Sequence, residues 1–257
     1  MLVLLSCAKT MSETSKVKVP LTTVPRFQKE ASGIALQMSQ FSVDELERLL
    51  HINARMAVEN YKRYQAFHAE DTPELPALLA YTGIVFKRLN AKDFSKEEFE
   101  YAQGHLRLTS FCYGLLRLLD VIRSYRLEGD VVLPEPGNQT MFSYWKSRLT
   151  DVFIEDIKKA GGILCNLASD EMKSLFDWKR VEREVRVITP EFQVWKNGKL
   201  ASIVIYIKMS RGEMTRFILK NRIEDPEDLK SFSWEGFEFN ESLSDEKKFV
   251  FTNGKEI

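Results

Sequence analysis

The sequence predicts an α+β or mixed α/β fold, in which a mixed sheet is flanked by helices. Short apolar runs at residues 2–5 and 163–167 have the length of buried strands. Between them, residues 141–157 repeat apolar side chains at helical spacing. With 257 residues, 44% of them hydrophobic, the chain can bury one large core. We expect one compact domain over residues 1–257, helix-rich over 26–160 and strand-rich over 1–10 and 161–257.

Two helices have start signals in the sequence. Ser42 with Glu45, and Ser95 with Glu98, match the capping box, in which the serine and the acid satisfy each other's backbone N–H groups. An apolar residue precedes each serine, as a hydrophobic staple requires. Helices are therefore predicted to begin just after Ser42 and Ser95.

The clearest hairpin signal is Asn197-Gly198, because both residues accept the positive φ angles of a type I′ turn. The predicted arms are residues 192–195 and 200–209, and the second arm is β-branched enough to lie inside a sheet. Residues 84–89 fit a helix or a strand equally well.

Residues 105–130 read as two helices joined by a tight corner at 111–114. The chain is formally neutral, with 37 basic and 37 acidic residues, yet four arginines face one acid, Asp120, between positions 107 and 126. Such clustering is typical of a site for an anionic partner. A helical hairpin packed in the core, with arginines extending from its edge, explains the pattern equally well.

Neutral overall charge leaves no global field to attract nucleic acid or membrane. Three cysteines without a CxxC motif indicate thiols in a reducing compartment, so we expect a cytoplasmic protein. The apolar start lacks a basic region and is too short for a signal peptide. Apolar runs such as residues 203–207 are far below the roughly 20 residues of a membrane span, and no membrane partner is expected.

Polar side chains follow three predicted strands where each strand ends. Ligands of sheets with parallel strands bind beyond the carboxyl ends, where free N–H groups of helices favour anions. A small anionic ligand would suit such a site. The alternative is that Ser169 and Ser210 cap helices and that Lys9 is a solvated loop residue. The candidate anion-binding residues are Ser6, Lys9, Thr10, Ser169, Glu171, Lys208 and Arg211.

No known catalytic layout is recognisable. The three histidines are dispersed, there is no HExxH, GxSxG or Walker motif, and Glu128 with Glu171 is only a conjectured acid-base pair. We assign no catalytic residue, metal or cofactor. Each cysteine (Cys7, Cys112, Cys165) lies in or beside one of the segments singled out above, and both a shared redox role and plain apolar packing stay open.

Four segments occur in an order that resembles the YaaA peroxide-stress protein family, from Met1 to about Phe251. Departures are Cys7, Leu118 and Ser124 in place of prolines, and Phe111-Cys112 in place of Gly-Leu. The segments are Ser6-x-Ala8-Lys9-Thr10, Tyr113-Gly114-x-Leu116-Arg117 with Asp120 and Tyr125-Arg126-Leu127-Glu128, Asn166-Leu167-Ala168-Ser169-x-Glu171, and Lys208-x-x-Arg211-Gly212.

The resemblance implies a cytoplasmic bacterial protein that limits unincorporated iron during hydrogen peroxide stress. It also implies a mixed α/β fold with a positive cleft and a helix-hairpin-helix element that binds double-stranded DNA, which we place at residues 99–123. Such an element holds phosphates through backbone N–H groups and arginines, without reading base sequence. The residues expected to contact DNA are Arg107, Tyr113, Gly114, Arg117, Arg123, Arg126, Arg216 and Lys220.

Two functions from different classes therefore compete. The first is a stress protein, favoured as a monomer, that binds duplex DNA without sequence preference. The second is an enzyme that acts on a phosphate-bearing or nucleotide-like substrate at the strand ends. DNA binding requires a broad basic surface that includes Arg107, Arg117 and Arg123, whereas the enzyme requires Lys9 and Arg211 within reach of one ligand.

Overall fold

A mixed sheet organises the chain in the computed structural model, which describes residues 1–135 and 137–256. Within these residues the strands are β1 (Leu2–Leu5), β2 (Thr10–Met11), β3 (Glu74–Pro76), β4 (Tyr81–Thr82), β5 (Leu106–Ser110), β6 (Gly114–Arg117), β7 (Val121–Arg123), β8 (Val132–Leu133), β9 (Gln139–Thr140), β10 (Ile163–Asn166), β11 (Arg186–Lys196), β12 (Lys199–Ala201), β13 (Phe237–Phe239) and β14 (Lys248–Glu256).

The main sheet has eight strands in the order β13-β14-β11-β10-β1-β5-β6, with β12 paired to β11. Its centre is parallel, because β1 pairs in parallel with both β10 and β5, and β11 pairs in parallel with β10 and β14. The flanking strands β6, β12 and β13 are antiparallel. All four residues of β1 are buried, as expected for a central strand covered on both faces.

Helices flank this sheet, and the predicted fold class is confirmed. Three short 3₁₀ helices (Ala91–Asp93, Pro226–Ser231 and Glu241–Leu243) complete the described elements. The α-helices are α1 (Gln28–Met38), α2 (Val43–Leu49), α3 (Ala54–Ala66), α4 (Ala77–Ala80), α5 (Ile84–Leu89), α6 (Lys96–His105), α7 (Met141–Lys159), α8 (Asp170–Lys173), α9 (Trp178–Glu184) and α10 (Val204–Asn221).

Both predicted capping boxes are present. Ser42 and Ser95 each accept a hydrogen bond from the backbone N–H three residues on, and the acid at that position accepts one in return. The staple at α6 is formed by Phe94 and Phe99, whose ring centroids are 5.6 Å apart. These helix starts are confirmed because every partner lies within a few residues in sequence.

The predicted helix-hairpin-helix at residues 99–123 is wrong. Only α6 is helical there; β5 and β6 form an antiparallel β-hairpin that pairs Arg107 with Arg117 and Ser110 with Gly114. All five residues of β5 (Leu-Arg-Leu-Thr-Ser) are buried, the three polar ones included, so the strand shows no exposed face that would mark it in the sequence. The leucine-rich residues 115–119 that follow are also compatible with a helix, and sheet pairing overrode that preference.

The second arm of the Asn197-Gly198 hairpin is shorter than predicted. The turn is confirmed, with φ of 53° and 70°, but β12 ends at Ala201 and residues 204–221 are α10, not strand. The β-branched residues at the start of α10 are only partly covered, and Val204 is 64% exposed. Later apolar residues of α10, among them Met214 and Ile218, bury one side of the helix.

Helix α7 covers the β5–β6 hairpin from one side. Its buried residues include Trp145, Leu149, Phe153 and Ile157, at the helical spacing seen in the sequence. Trp145 donates through Nε1 to the carbonyl of Phe111, 2.7 Å away, which ties the β5–β6 turn to the helix. Among the described residues, no helix combines the length and hydropathy of a membrane span.

Candidate functional site

A cavity of about 410 Å³ opens beyond the carboxyl ends of β1 and β10. We call it the strand-end cleft. Its walls are formed by residues 5–10, 82–86 and 125–128, by Phe111, by the start of α8, and by Lys208 and Arg211 of α10. The structure brings together here every residue predicted for the anion site, namely Ser6, Lys9, Thr10, Ser169, Glu171, Lys208 and Arg211.

The two serines meet because β1 and β10 are parallel neighbours in register, with Leu4 opposite Asn166. The backbone N–H of Ser169 donates to Ser6 Oγ (2.8 Å), and Ser6 Oγ donates to Ser169 Oγ (3.2 Å). Ser169 stands at the start of α8, but its side chain makes no capping hydrogen bond. Its hydroxyl accepts from Ser6 and keeps its own hydrogen available for a ligand.

Glu128 is a buried carboxylate, 7% exposed, on the β5 side of the cleft. Lys9 Nζ donates to its Oε2 (2.7 Å), and Arg126 Nη2 lies 3.0 Å from its Oε1. Tyr125 holds this segment against β5, because its hydroxyl lies 2.6 Å from Ser110 Oγ. One carboxylate is therefore shared by two cations on this side.

The α10 side of the cleft is different, because its cations form no salt bridge with a carboxylate among the described residues. Lys208 and Arg211 stand three residues apart on one face of α10. Arg211 is partly buried, and its Nε is a buried atom with no hydrogen-bond partner among the described residues. Burial lowers the pKa of Arg211, and the charge of Asp170 partly offsets this. Asp170 itself is ion-paired with Lys173 (2.7 Å).

Close packing of α10 on α5 positions these cations. A Cβ at Gly212 would lie 2.3 Å from the carbonyl oxygen of Val85 and 2.7 Å from Cβ of Arg88. Only glycine allows this approach, and Val85 lines the cleft together with Arg211. Residues 84–89, which fitted a helix or a strand in the sequence, are thus a helix that forms part of the site.

Thr10 and Glu171 lie at the rim. Thr10 Oγ1 donates to the carbonyl of Thr82 (2.8 Å) and accepts from Thr82 Oγ1 (3.0 Å), so it joins β2 to β4. Glu171 is exposed in the first turn of α8. Its charge acts on Cys7, as does that of Glu128, so the two carboxylates of the conjectured acid-base pair face a common region.

The three cysteines are free thiols. Cys7 lines the cleft, and burial, followed by Glu128 and Glu171, raises its pKa to about 12. Burial likewise raises the pKa of Cys112 and of Cys165. Because the thiolate is the reactive form, these thiols are protonated and weakly nucleophilic at neutral pH. Within residues 1–135 and 137–256, no group of three or more His, Cys, Asp or Glu side chains is placed to hold a metal.

A family model described as peroxide stress protein YaaA matches residues 1–243. The chain belongs to this family. It is 85% identical over 254 residues to a UPF0246 protein of Bacteroides thetaiotaomicron, covering 99% of each chain. It is 49% identical over 253 residues to one of Porphyromonas gingivalis and 36% identical over 252 residues to one of Crocosphaera subtropica, in both cases with 98% of this chain and 99% of the relative covered. A role in the stress response follows from this membership.

Within this YaaA family member, three of the residues expected at a DNA surface are buried. Arg107 is 7% exposed and donates through Nε to Asp156 Oδ2 (2.7 Å). Tyr113 is 1% exposed, and its hydroxyl accepts from the backbone N–H of Arg123 (2.9 Å). Gly114 has φ of 71° and packs on Trp145. Their positions are those of core residues.

The other residues expected at DNA keep some exposure, but each is paired with a carboxylate. Arg126 belongs to the cleft through Glu128. The remaining pairs are Arg117 with Asp120 (2.8 Å), Arg123 with Glu74 (2.8 Å), Arg216 with Asp93 (2.6 Å), and Lys220 with Glu98 (2.7 Å).

Glu128 is the main cleft residue that sequence reasoning did not place there. It belongs to the segment Tyr125-Arg126-Leu127-Glu128, for which the sequence predicts part of a helical hairpin, and only the conjectured acid-base pair with Glu171 links it to the strand ends. The apolar wall formed by Phe86, Phe111 and Tyr125 was also missed. The sequence signal for Glu128 was its position two residues after Arg126, because a buried carboxylate requires a cation nearby.

Proposed function

We propose that this protein acts in the peroxide-stress response, in the cytoplasm, by binding a small phosphate-bearing anion in the strand-end cleft. The observation that carries the proposal is Arg211, a partly buried cation whose Nε is itself buried and has no hydrogen-bond partner among the described residues. A buried cation is retained at a cost unless a counter-charge compensates it. A bound anion supplies that charge.

The charges of the lining support an anion on the α10 side. The cleft is lined by four cationic side chains and two carboxylates. Lys9 and Arg126 share Glu128, which leaves Lys208 and Arg211 available. The free hydrogen of Ser169 adds a neutral donor. Planar guanidinium, ammonium and hydroxyl donors that converge are the groups that proteins use for phosphate. An enzyme acting on such a ligand would use this same site.

The first prediction is that Arg211→Ala weakens the binding of inorganic phosphate about 10- to 100-fold, because charge-assisted hydrogen bonds contribute roughly 1.5–3 kcal/mol. Isothermal titration calorimetry measures the affinity of both proteins for phosphate. Arg55→Ala is the matched control, since Arg55 is an exposed arginine in the first turn of α3, away from the cleft. Equal phosphate affinities for the parent protein and Arg211→Ala would refute the proposed site.

A second candidate function is the binding of duplex DNA without base preference, linked to the limitation of unincorporated iron. The observation that favours it is the partial exposure of the Arg117 and Arg123 side chains, 36% and 18%. Both would have to exchange their carboxylate partners for phosphates. The helical corner that motivated this function is a β-hairpin, so backbone contacts by Gly114 are not part of the candidate.

If DNA binds through these side chains, the combined variant Arg117→Ala and Arg123→Ala should weaken binding to all duplexes by a similar factor. Each lost phosphate contact should flatten the dependence of log affinity on log salt by about 0.9. Fluorescence anisotropy on two unrelated duplexes at several salt concentrations measures both effects. An unchanged affinity and slope, with the parent's circular dichroism spectrum, would remove this candidate.

A further inference from the structure

The two sides of the strand-end cleft offer different chemistry. The β10 side, near α10, carries Ser169, the exposed Glu171, and the cations Lys208 and Arg211, which form no ion pair with a described residue. The β5 side carries the Lys9–Glu128 ion pair on the segment that Tyr125 anchors to β5. In the sheet order these strands stand on opposite sides of β1. A ligand that fills the cavity therefore meets two cations without an ion-pair partner among the described residues on one side, and an ion-paired carboxylate on the other.

The Lys9–Glu128 pair offers both an acceptor and a donor. Lys9 Nζ is held 2.7 Å from Glu128 Oε2, and the Lys9 side chain is 62% exposed, which leaves its other N–H groups free for a ligand. A hydroxyl group can donate to a carboxylate and accept from an ammonium at once. A second phosphate on this side would have to compete with the buried Glu128 carboxylate for Lys9 and Arg126, which are already ion-paired with it.

The wall beside this pair is apolar and aromatic. Phe86, Phe111 and Tyr125 line the same cavity, and Phe111 and Tyr125 belong to the β5 side. Largely apolar walls with a few fixed polar groups are typical of pockets for compact organic ligands. A bare inorganic ion would leave this wall in contact with water.

From this arrangement we infer that the ligand is a phosphorylated polyol, with its single phosphate on the Lys208–Arg211 side and its hydroxyl groups on the Lys9–Glu128 pair. The inference rests on the proposed function and names the class of ligand that the cleft accepts. A free sugar phosphate and a nucleoside monophosphate both present this chemistry.

The test compares ligands that differ by one group. Ribose 5-phosphate should bind at least tenfold more tightly than ethyl phosphate, which has the phosphate ester but no hydroxyl. Ribose 1,5-bisphosphate should bind more weakly than ribose 5-phosphate. Adenosine 5′-monophosphate distinguishes the two sources: if it binds more tightly than ribose 5-phosphate the ligand is a nucleotide, and if it binds more weakly the ligand is a free sugar phosphate.

Glu128→Gln assigns the effect to the carboxylate. The variant should keep the parent's circular dichroism spectrum, which shows that the fold is intact, and should bind ethyl phosphate no more weakly than the parent, because a negative charge of the cleft has been removed. It should lose most of the preference for ribose 5-phosphate and should discriminate less against the bisphosphate. The inference is overturned if ethyl phosphate binds as tightly as ribose 5-phosphate, or if Glu128→Gln keeps the parent's preferences. Failure of every phosphate compound to bind would instead refute the proposed function itself.

Discussion

Asp156→Ala is expected to lower the free energy of unfolding by about 3–5 kcal/mol, as removal of one member of a buried ion pair does. Asp156 is 5% exposed and accepts from Arg107 Nε (2.7 Å) and from Arg26 Nη2 (3.2 Å). The Arg107 side chain is only 9% exposed, so the variant leaves a guanidinium in the core without its carboxylate. Urea unfolding followed by circular dichroism measures the change.

Glu155→Ala is the matched control on the same helix. Glu155 is exposed and pairs with Lys159 at 3.7 Å, so its loss should change stability by less than about 0.5 kcal/mol. The double variant Arg107→Leu and Asp156→Leu should recover most of the stability that Asp156→Ala loses, because neither charge remains in the core. A loss below about 1 kcal/mol for Asp156→Ala would show that Arg107 is free to leave the core and reach a partner.

Gly114→Ala should destabilise the protein by about 2–4 kcal/mol, from a left-handed backbone and overpacking together. Gly114 has φ of 71°, and a Cβ there would lie 2.7 Å from Cζ3 of Trp145 and 3.0 Å from Cδ2 of Leu149. Trp145 is fully buried, so the clash has no easy relief. Thermal unfolding monitored by near-ultraviolet circular dichroism measures the loss of stability.

Gly104→Ala provides the comparison, because Gly104 lies inside α6 and a Cβ there meets nothing within 4 Å. That variant should be as stable as the parent or more stable by up to about 1 kcal/mol. If Gly114→Ala unfolds like the parent but binds DNA less tightly, the role of Gly114 is contact with a backbone phosphate and not packing.

Features set by neighbours in sequence were predictable. The capping boxes at Ser42 and Ser95, and the turn at Asn197-Gly198, depend on residues at most three positions apart, and all formed as expected. The β1 and β10 parts of the strand-end cleft were also predictable, although they are distant in sequence, whereas Lys208 and Arg211 reach the cleft from α10 and not from the predicted third strand end. Parallel strands deliver their carboxyl ends to one edge, so similar residues after β1 and β10 had to meet.

Features set by tertiary pairing were not predictable. Nothing local distinguishes the buried run of β5 from a helix; pairing with β1 on one side and β6 on the other decides it. Conversely, the β-branched start of α10 resembles a strand, and the helix forms because Gly212 and the residues after it pack on α5. Whether the arginines of residues 107–126 face solvent or pair inside the protein was similarly undecided by the sequence, because Asp156, the partner of Arg107, stands 49 positions away.

The stability of the Arg211→Met variant without and with inorganic phosphate tests the central claim most directly. Methionine keeps much of the apolar stem and removes the unpaired charge, so without phosphate the variant should be more stable than the parent by about 1 kcal/mol. Phosphate should stabilise the parent and the control Arg55→Met, as a ligand that binds only the folded state does, but not Arg211→Met. Urea unfolding at increasing phosphate concentration measures both quantities. A variant that is less stable without phosphate, and that phosphate stabilises as much as the parent, would contradict the account.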